Sequence, residues 1–519
     1  MIYKMSHIQE ENNNIVKSKK SVFVENVTLS QLPKNAPSIC EFYADQNILI
    51  TGGTGFMGKV LIEKLLRSCP KIKGIYLLLR SKKNYTDEQR LSKLLDIPLF
   101  ERLRNEFPQS LSKLKVIKGD VSEIEFGLSG SDMKFIINEI NIVFHVAASV
   151  RFDDPLREAI LINTRGTREM LRILKQMQNL KVFLHTSTTY CNVDKDVDAI
   201  EEKVYKATTN WETMINAAEN MDTNVLNFLE QKILNKYPNT YTFSKNLSEE
   251  LVSENCGGIP TVIFRPTVVV GSDKEPIPGW VDSFNGPMGL VAGVQVGILH
   301  TVYIDGDKKL DWVPVDVAIN GMIVSAWYKA LEQSERNKCL IINSSTADFV
   351  KFENKSMFED GLRIENAKNP PSQLLWYPFC FYTPNKYFYW FYFVTLQLIP
   401  AIFLIFYSNM KLAPFTLNEF KFKNDNFKSL HAMLKLEDMD KFSVDYSTIE
   451  IQDRFATLVD GSVKYLLKGK SHTKETLDER LSNFQMKFYL HVGLMCFLMI
   501  CSLFIMNFWA GKFLYKRYI

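Results

Sequence analysis

Tyr241-Thr242-Phe243-Ser244-Lys245 sets a phenol and an ammonium four residues apart. On a helix, positions i and i+4 share a face, so both groups would enter one cleft. A tyrosine hydroxyl starts with a pKa of about 10. A neighbouring Lys245 and a second positive charge favour the phenolate and bring that proton within reach of transfer at neutral pH. A third part is supplied upstream, where the apolar run Val182-Phe183-Leu184 is followed by His185-Thr186-Ser187-Thr188-Thr189-Tyr190. Four consecutive hydroxyls at the C-terminal end of a strand lie where ligands bind in open α/β sheets, and one of them can orient a carbonyl. Thr188 is the first candidate and Ser187 the second. Cys191 could act as a thiol nucleophile, but it has no evident base partner and is read as a packed cysteine.

A second constellation precedes this one. Ile48-Leu49-Ile50 reads as a strand, Thr51-Gly52-Gly53-Thr54-Gly55-Phe56-Met57-Gly58 as a glycine-rich turn, and Lys59 to Arg67 as a helix. Gly52 permits the tight turn, Gly55 lets the backbone approach a pyrophosphate, and Gly58 allows close packing of helix on strand. The helix N-terminus then faces the phosphates. Thr51, Gly52, Gly55, Phe56, Met57 and Gly58 are the dinucleotide contacts this motif offers, with Lys245 on the ribose. The next apolar run, Tyr76 to Leu79, ends in Arg80-Ser81-Lys82-Lys83 rather than in an acid. A cation there suits the 2′-phosphate of NADPH, with Arg80 leading. Asp120 and Val121 follow the third run, where an acid commonly meets the adenine edge. The second positive charge near Tyr241 would be the oxidised nicotinamide.

The elements that must hold these groups are legible as a series. Apolar runs at 47–50, 75–79, 116–117, 142–146, 182–185 and 262–264 alternate with longer amphipathic stretches. Strands alternating with helices imply an α/β fold with a doubly wound parallel sheet of Rossmann type. The chain has 519 residues, 46% apolar and 23% charged, with a mean hydropathy of −0.09, so it is globular rather than disordered or many-spanning. A balance of 62 Lys and Arg against 58 Asp and Glu offers no basic stripe, which argues against a nucleic-acid partner. Eight scattered cysteines form no CxxC and no zinc-like spacing, so disulfides and structural zinc are not expected. The N-terminus has no apolar h-region and does not read as a signal peptide, which places the catalytic bulk in the cytosol.

Composition changes along the chain. Residues 1–38 read as a mobile polar arm, 39–330 as the dinucleotide-binding and catalytic domain, and 331–386 as a linker region. Residues 387–410 and 488–511 are each 24 residues without a formal charge, long enough as helices for a hydrocarbon core of about 30 Å. The first is interrupted by Gln397 and Pro400 and crowded with rings at one end, which suits an interfacial, membrane-associated segment. The second reads as a transmembrane helix. Residues 411–487 read as a small, mostly helical C-terminal domain, and 512–519 as a basic tail. The two runs hold much of the aromatic excess of 36 Phe, 21 Tyr and 7 Trp.

These words, taken together, resemble a family. TGGTGFMGK, HVAASVRFDD (145–154) with Asn163, HTSTTY and YTFSK are similar to the extended short-chain dehydrogenase/reductases. GDVSEIEFGLS (119–129), FRPTVVVGSDKEPIPGW (264–280), NGP (285–287) and VPVD (313–316) resemble, more particularly, the fatty acyl-CoA reductases of insects. The resemblance runs from about Phe42 to Asp316 and resumes more weakly over 411–470. It implies NADPH-dependent reduction of a long-chain fatty acyl-CoA, through the aldehyde, to a primary alcohol with release of CoA. It also implies a membrane location, endoplasmic reticulum or alternatively peroxisome, with a cytosolic catalytic domain. Gln397 and Ile405 stand where the family often has a histidine and an acid, and Ile451 where it usually has a tryptophan. Two other readings share parts of the pattern: a reductase of the same fold acting on a steroid or small ketone, and a non-catalytic membrane scaffold. Intact Gly52, Gly55, Gly58, Tyr241 and Lys245 weigh against the scaffold.

Overall fold

Strands covered by helices on both faces need apolar residues throughout, and the short apolar runs of this chain become such strands. The computed structural model describes residues 29–80, 85–335, 337–346, 353–357, 377–394, 412–445, 451–467 and 481–490, with a few isolated positions besides. In chain order the strands are β1 (Asn47–Thr51), β2 (Gly74–Leu79), β3 (Leu114–Lys118), β4 (Ile142–His145), β5 (Val182–Thr186) and β6 (Thr261–Pro266). Beyond these come β7 (Val268–Val270), β8 (Thr301–Tyr303), β9 (Trp312–Pro314), β10 (Leu340–Ser344) and β11 (Phe381–Thr383). The chain folds into two compact units. The first takes residues up to 282 together with 309–352 and 419–454; the second takes 283–308, 353–418 and residues from 455 on.

In the first unit, seven strands form one parallel sheet in the order β10-β6-β5-β4-β1-β2-β3. The order reverses between β1 and β4, and at that switch the C-terminal strand ends open a crevice. Thr51 lies opposite His145, and His145 opposite His185, so three polar residues form a row beneath the crevice. β1, β2, β4, β5 and β6 are buried along their whole length, whereas edge strand β3 exposes Lys115 and Lys118.

Helices cover both faces. On one, α1 (Ile39–Tyr43) and α2 (Phe56–Ser68) lie with the long α7 (Val315–Leu331). On the other, α3 (Gly130–Glu139), α4 (Gly166–Leu174) and α5 (Thr240–Asn255) pack Ile136, Met170, Leu171, Phe243, Leu247 and Leu251 against Leu49, Val143, Phe183 and Ile263. Burying one such side chain is worth roughly 1.5–3 kcal/mol. Residues 29–38 belong to the stretch read as a mobile arm, yet they are held on α7: the Trp327 indole donates to the Pro37 carbonyl at 3.0 Å and the Tyr328 hydroxyl to Ser30 at 3.0 Å. Rings with a polar tip find partners when buried, and those partners fix the segment. Residues 1–28 lie outside the described residues.

The first unit also takes in α9 (Asp425–Met433) and α10 (Leu436–Phe442). Ile200 and Phe422 form a parallel bridge, with Ile200 N–H to the Lys421 carbonyl and Lys423 N–H to the Ile200 carbonyl, both 2.8 Å. The second unit pairs β8 with β11 in parallel and includes α6 (Pro287–Gln295) and α8 (Lys386–Tyr392). Within it the Gln295 amide donates to the Val459 carbonyl at 3.2 Å, and Tyr389 packs on Tyr303 with centroids 5.4 Å apart.

Among the described residues no helix is long and apolar enough to cross a membrane. The transmembrane helix expected at 488–511 falls mostly outside them, as do residues 395–410 of the first uncharged run and the whole 512–519 tail.

Candidate active site

Helix α5 begins where Asn239 stops the extended chain and caps it, its side chain accepting from Thr242 N–H at 2.9 Å. The cap fixes the phase of the helix, so Tyr241 in the first turn and Lys245 one turn on share a face. Tyr241 is half-buried, its ring stacked on Phe152 at 6.1 Å and 28°. Its hydroxyl is hydrogen-bonded to the Thr188 hydroxyl. Ser187, one residue earlier on the strand end, points its hydroxyl at the Cys191 sulfur 3.8 Å away. The four-hydroxyl run therefore brings Thr188, not Ser187, to the phenol.

Lys245 is buried, and its ammonium donates to the Thr186 carbonyl at 2.7 Å. Burial lowers its pKa to about 8. Burial is also the main influence on Tyr241 and raises the phenol, with the Thr188 hydrogen bond pulling the other way. Of the two positive charges expected to favour phenolate, Lys245 spends its ammonium on a backbone carbonyl, and among the protein's own groups desolvation dominates at the phenol.

Beneath these groups runs a connected set of hydrogen bonds that the motifs do not spell out. Ala147 N–H donates to the Thr51 hydroxyl at 3.2 Å, and that hydroxyl meets His145 Nδ1 at 2.9 Å. Thr167 donates its proton to the Asn163 carbonyl at 2.7 Å, so it can only accept from His145 Nε2 at 3.3 Å. The histidine is thus the Nε2–H tautomer, accepting from Thr51. Burial and the Lys245 charge lower its pKa to about 3, which keeps it neutral. Asn163 sits in a π-helical turn, Ile160–Arg165, a distortion that often marks functional positions. Its side chain bridges Ser149 N–H at 2.9 Å, the Ser149 carbonyl at 3.1 Å and the Ser244 hydroxyl at 2.9 Å.

One turn beyond Lys245, Glu249 forms an ion pair with Arg265, both fully buried, through bonds of 2.8 and 2.6 Å. Arg265 also donates to the carbonyls of Glu201 and Lys203 at 3.1 and 2.8 Å. Removing one partner of such a pair costs about 3–5 kcal/mol. Cys191 donates to Glu249 at 3.2 Å, and burial pushes its thiol well up, so it is no nucleophile. The i+8 spacing from Tyr241 was the available signal for Glu249.

The glycine turn has the shape a dinucleotide requires. Gly52 has φ +74°, and a Cβ there would meet the Ala147 nitrogen at 2.6 Å. A Cβ on Gly58 would lie 2.3 Å from the Gly52 carbonyl oxygen, so the first turn of α2 rests directly on the loop. No side chain caps α2 at Gly55, leaving its first N–H groups for an anion. Phe56 and Met57 are half-buried in that turn. At the ends of β2 and β3, Arg80 is 75% exposed and 3.9 Å from Asp120, whose carboxylate also holds Ser122 N–H at 2.9 Å. Val121 is partly buried beside them, while Ser81 to Lys83 lie outside the described residues.

A parallel sheet of this order, a glycine turn after β1 and a YxxxK helix beside a strand-end hydroxyl define a Rossmann-type reductase that uses a nicotinamide dinucleotide. Residues 50–322 match a family model described as male sterility protein, and residues 396–469 a second of the same description. The chain is 34% identical over 449 residues to fatty acyl-CoA reductase 1 of Rattus norvegicus, covering 83% of this chain and 86% of that protein. It is 33% identical over 478 residues to fatty acyl-CoA reductase wat of Drosophila melanogaster, covering 88% and 90%. The chain belongs to the fatty acyl-CoA reductase family. The fold is shared with the terminal R domain of the myxalamid PKS-NRPS pathway (TM-score 0.55, 18% identity, 88% of this chain and 98% of that one). It is shared too with the reductase domain of a nonribosomal peptide synthetase from Mycobacterium tuberculosis (TM-score 0.56, 16% identity, 87% and 95%).

Proposed function

We propose that this fatty acyl-CoA reductase converts a long-chain acyl-CoA to a primary alcohol, using NADPH, with Tyr241, Thr188 and Lys245 as its catalytic groups. The observation that carries the assignment is the hydrogen bond between the Thr188 and Tyr241 hydroxyls above the buried Lys245. Gly52, Gly55 and Gly58 with the open N-terminus of α2 would hold the pyrophosphate, and Arg80 the 2′-phosphate. The bound nicotinamide supplies hydride.

The Thr188 and Tyr241 hydroxyls lie side by side, so a thioester oxygen that displaces their mutual hydrogen bond could accept from each. Donors fixed before charge develops on that oxygen are the largest usual source of rate. Collapse of the resulting thiohemiacetal expels CoA thiolate and leaves an aldehyde in the same cleft. Reduction of the aldehyde needs a second hydride, which a second equivalent of NADPH would supply, and a proton at oxygen, which Tyr241 donates. Its raised pKa keeps that proton in place until it is needed, and Lys245 would steady the ribose and re-protonation. Tyr241→Phe leaves the ring on Phe152 but removes the proton. Alcohol formation from an acyl-CoA series fed to expressed membranes is expected to fall to background, and near-wild-type turnover would refute the assignment.

Membrane association accompanies this reading, in keeping with acyl chains that partition into lipid. Its support is the described start of the first uncharged run, where α8 exposes Tyr387, Phe388, Trp390 and Phe391. The same reading places the catalytic unit on the cytosolic side of the endoplasmic reticulum or of the peroxisome, and fluorescence from a tagged full-length chain separates the two.

A further inference from the structure

The segment 272–282, which the sequence marks as SDKEPIPGW and the residues after it, makes no part of the catalytic hydroxyl cluster, yet hydrogen bonds hold it at both ends. Its shape is closed on itself: Ser272 N–H donates to the Trp280 carbonyl at 3.1 Å, Gly279 N–H to the Ser272 carbonyl at 2.8 Å, and Trp280 N–H to the Ser272 hydroxyl at 3.0 Å. One buried carboxylate organises its start. Asp316, at the head of α7, accepts from Asp273 N–H at 2.8 Å, Lys274 N–H at 2.8 Å and Glu275 N–H at 3.0 Å.

What this loop grips is α2, from end to end. Trp280 stacks on Phe56, the first helical residue after the glycine turn, at 5.5 Å and 25°. Asp282 pairs with Lys59. Glu275 pairs with the buried Lys64 and with Arg67, the latter through contacts of 3.4 and 3.3 Å. Four side chains spread over three turns of one helix are thus tied to one loop, and the helix so fixed carries the N–H groups that face the pyrophosphate.

We propose that residues 272–282 are a strap that presets the dinucleotide site, with Asp316, Glu275 and Trp280 as positioning residues that act on cofactor affinity through α2. The proposal rests on the dinucleotide reading of the glycine turn. Asp316 holds three N–H groups that would otherwise turn to water, so its loss releases the strap, frees Trp280 from Phe56, and lets the first turn of α2 move against Gly52. Binding then has to reorder the helix end, which weakens affinity without altering the groups at the carbonyl.

The test is direct titration of full-length protein with NADPH, followed by nicotinamide fluorescence and needing no turnover. Asp316→Asn and Trp280→Leu are each expected to raise the dissociation constant about tenfold or more, the scale of one lost charge-assisted hydrogen bond or more. Trp280→Phe, which keeps a ring over Phe56, is expected to recover most of the affinity. Steady-state rates should show a raised KM for NADPH with kcat within about twofold at saturation. If Asp316→Asn does not fold, as judged by circular dichroism, the Trp280 pair decides alone. Folded variants that bind NADPH as tightly as the wild type, or that lose kcat at an unchanged KM, would overturn the strap. A wild type that binds NADPH but reduces no acyl-CoA removes the substrate reading and leaves this comparison standing.

Discussion

Two neighbouring hydroxyls differ only in which way the strand end turns them. Thr188 meets the Tyr241 phenol, while Ser187 faces the Cys191 sulfur inside the unit. On the proposed mechanism Thr188→Ala removes one of the two donors to the carbonyl oxygen and should lower kcat by roughly 100-fold, the cost of an oxyanion-type donor. Ser187→Ala should change kcat by less than a few-fold; the reverse ranking in single-turnover assays would exchange their roles. Arg80 poses a different question, because it stands three-quarters exposed at the sheet end, 3.9 Å from the part-exposed Asp120. Arg80→Glu is expected to raise KM for NADPH far more than KM for NADH. Equal effects on the two dinucleotides would speak against its contact with a 2′-phosphate.

At the scale of elements, a carboxylate joins pieces of chain far apart in sequence. Glu202 accepts from Asn343 N–H in β10 at 3.0 Å and from Asn426 N–H in the first turn of α9 at 2.7 Å. Burial raises its pKa to about 8. The folded state therefore binds a proton that the unfolded chain has released between about pH 4.5 and 8, so this group's stabilising contribution is complete below that window and is lost as pH rises through it. Glu202→Gln cannot titrate. Denaturant midpoints measured at pH 5, 7 and 9 should fall more steeply in the wild type than in the variant, and parallel slopes would show that Glu202 does not titrate there. The strands β1 to β6 and the YxxxK helix were legible because periodicity and glycine spacing are local signals. β10, Glu202, the Glu249–Arg265 pair and the Asp316 carboxylate were not, since each owes its meaning to partners 16 to 224 residues away. The choice of Thr188 over Ser187 was hidden for a related reason: the direction of a side chain at a strand end is set by backbone angles, not by residue type.

For the molecule as a whole, the soluble-looking average of the sequence conceals a local surface of another kind. Tyr387, 85% exposed, leads Phe388, Trp390 and Phe391 on the short α8, and only Tyr389 of that group is buried. Changing the four exposed rings to serine is expected to reduce co-flotation of the full chain with phosphatidylcholine vesicles several-fold while leaving NADPH binding intact; unchanged flotation would assign membrane contact elsewhere. The division of the chain carries a consequence of its own. The first unit is assembled from residues up to 282, from 309–352 and from 419–454, so during synthesis its sheet lacks the β10 edge until residues 340–344 have been made, well after β6 at 261–266. At about 5–20 residues per second, β6 waits roughly 4–16 seconds after it emerges for the strand that covers its edge. During that interval an apolar parallel edge stands open to pairing with other chains, a hazard of synthesis that the stability of the finished fold does not reveal.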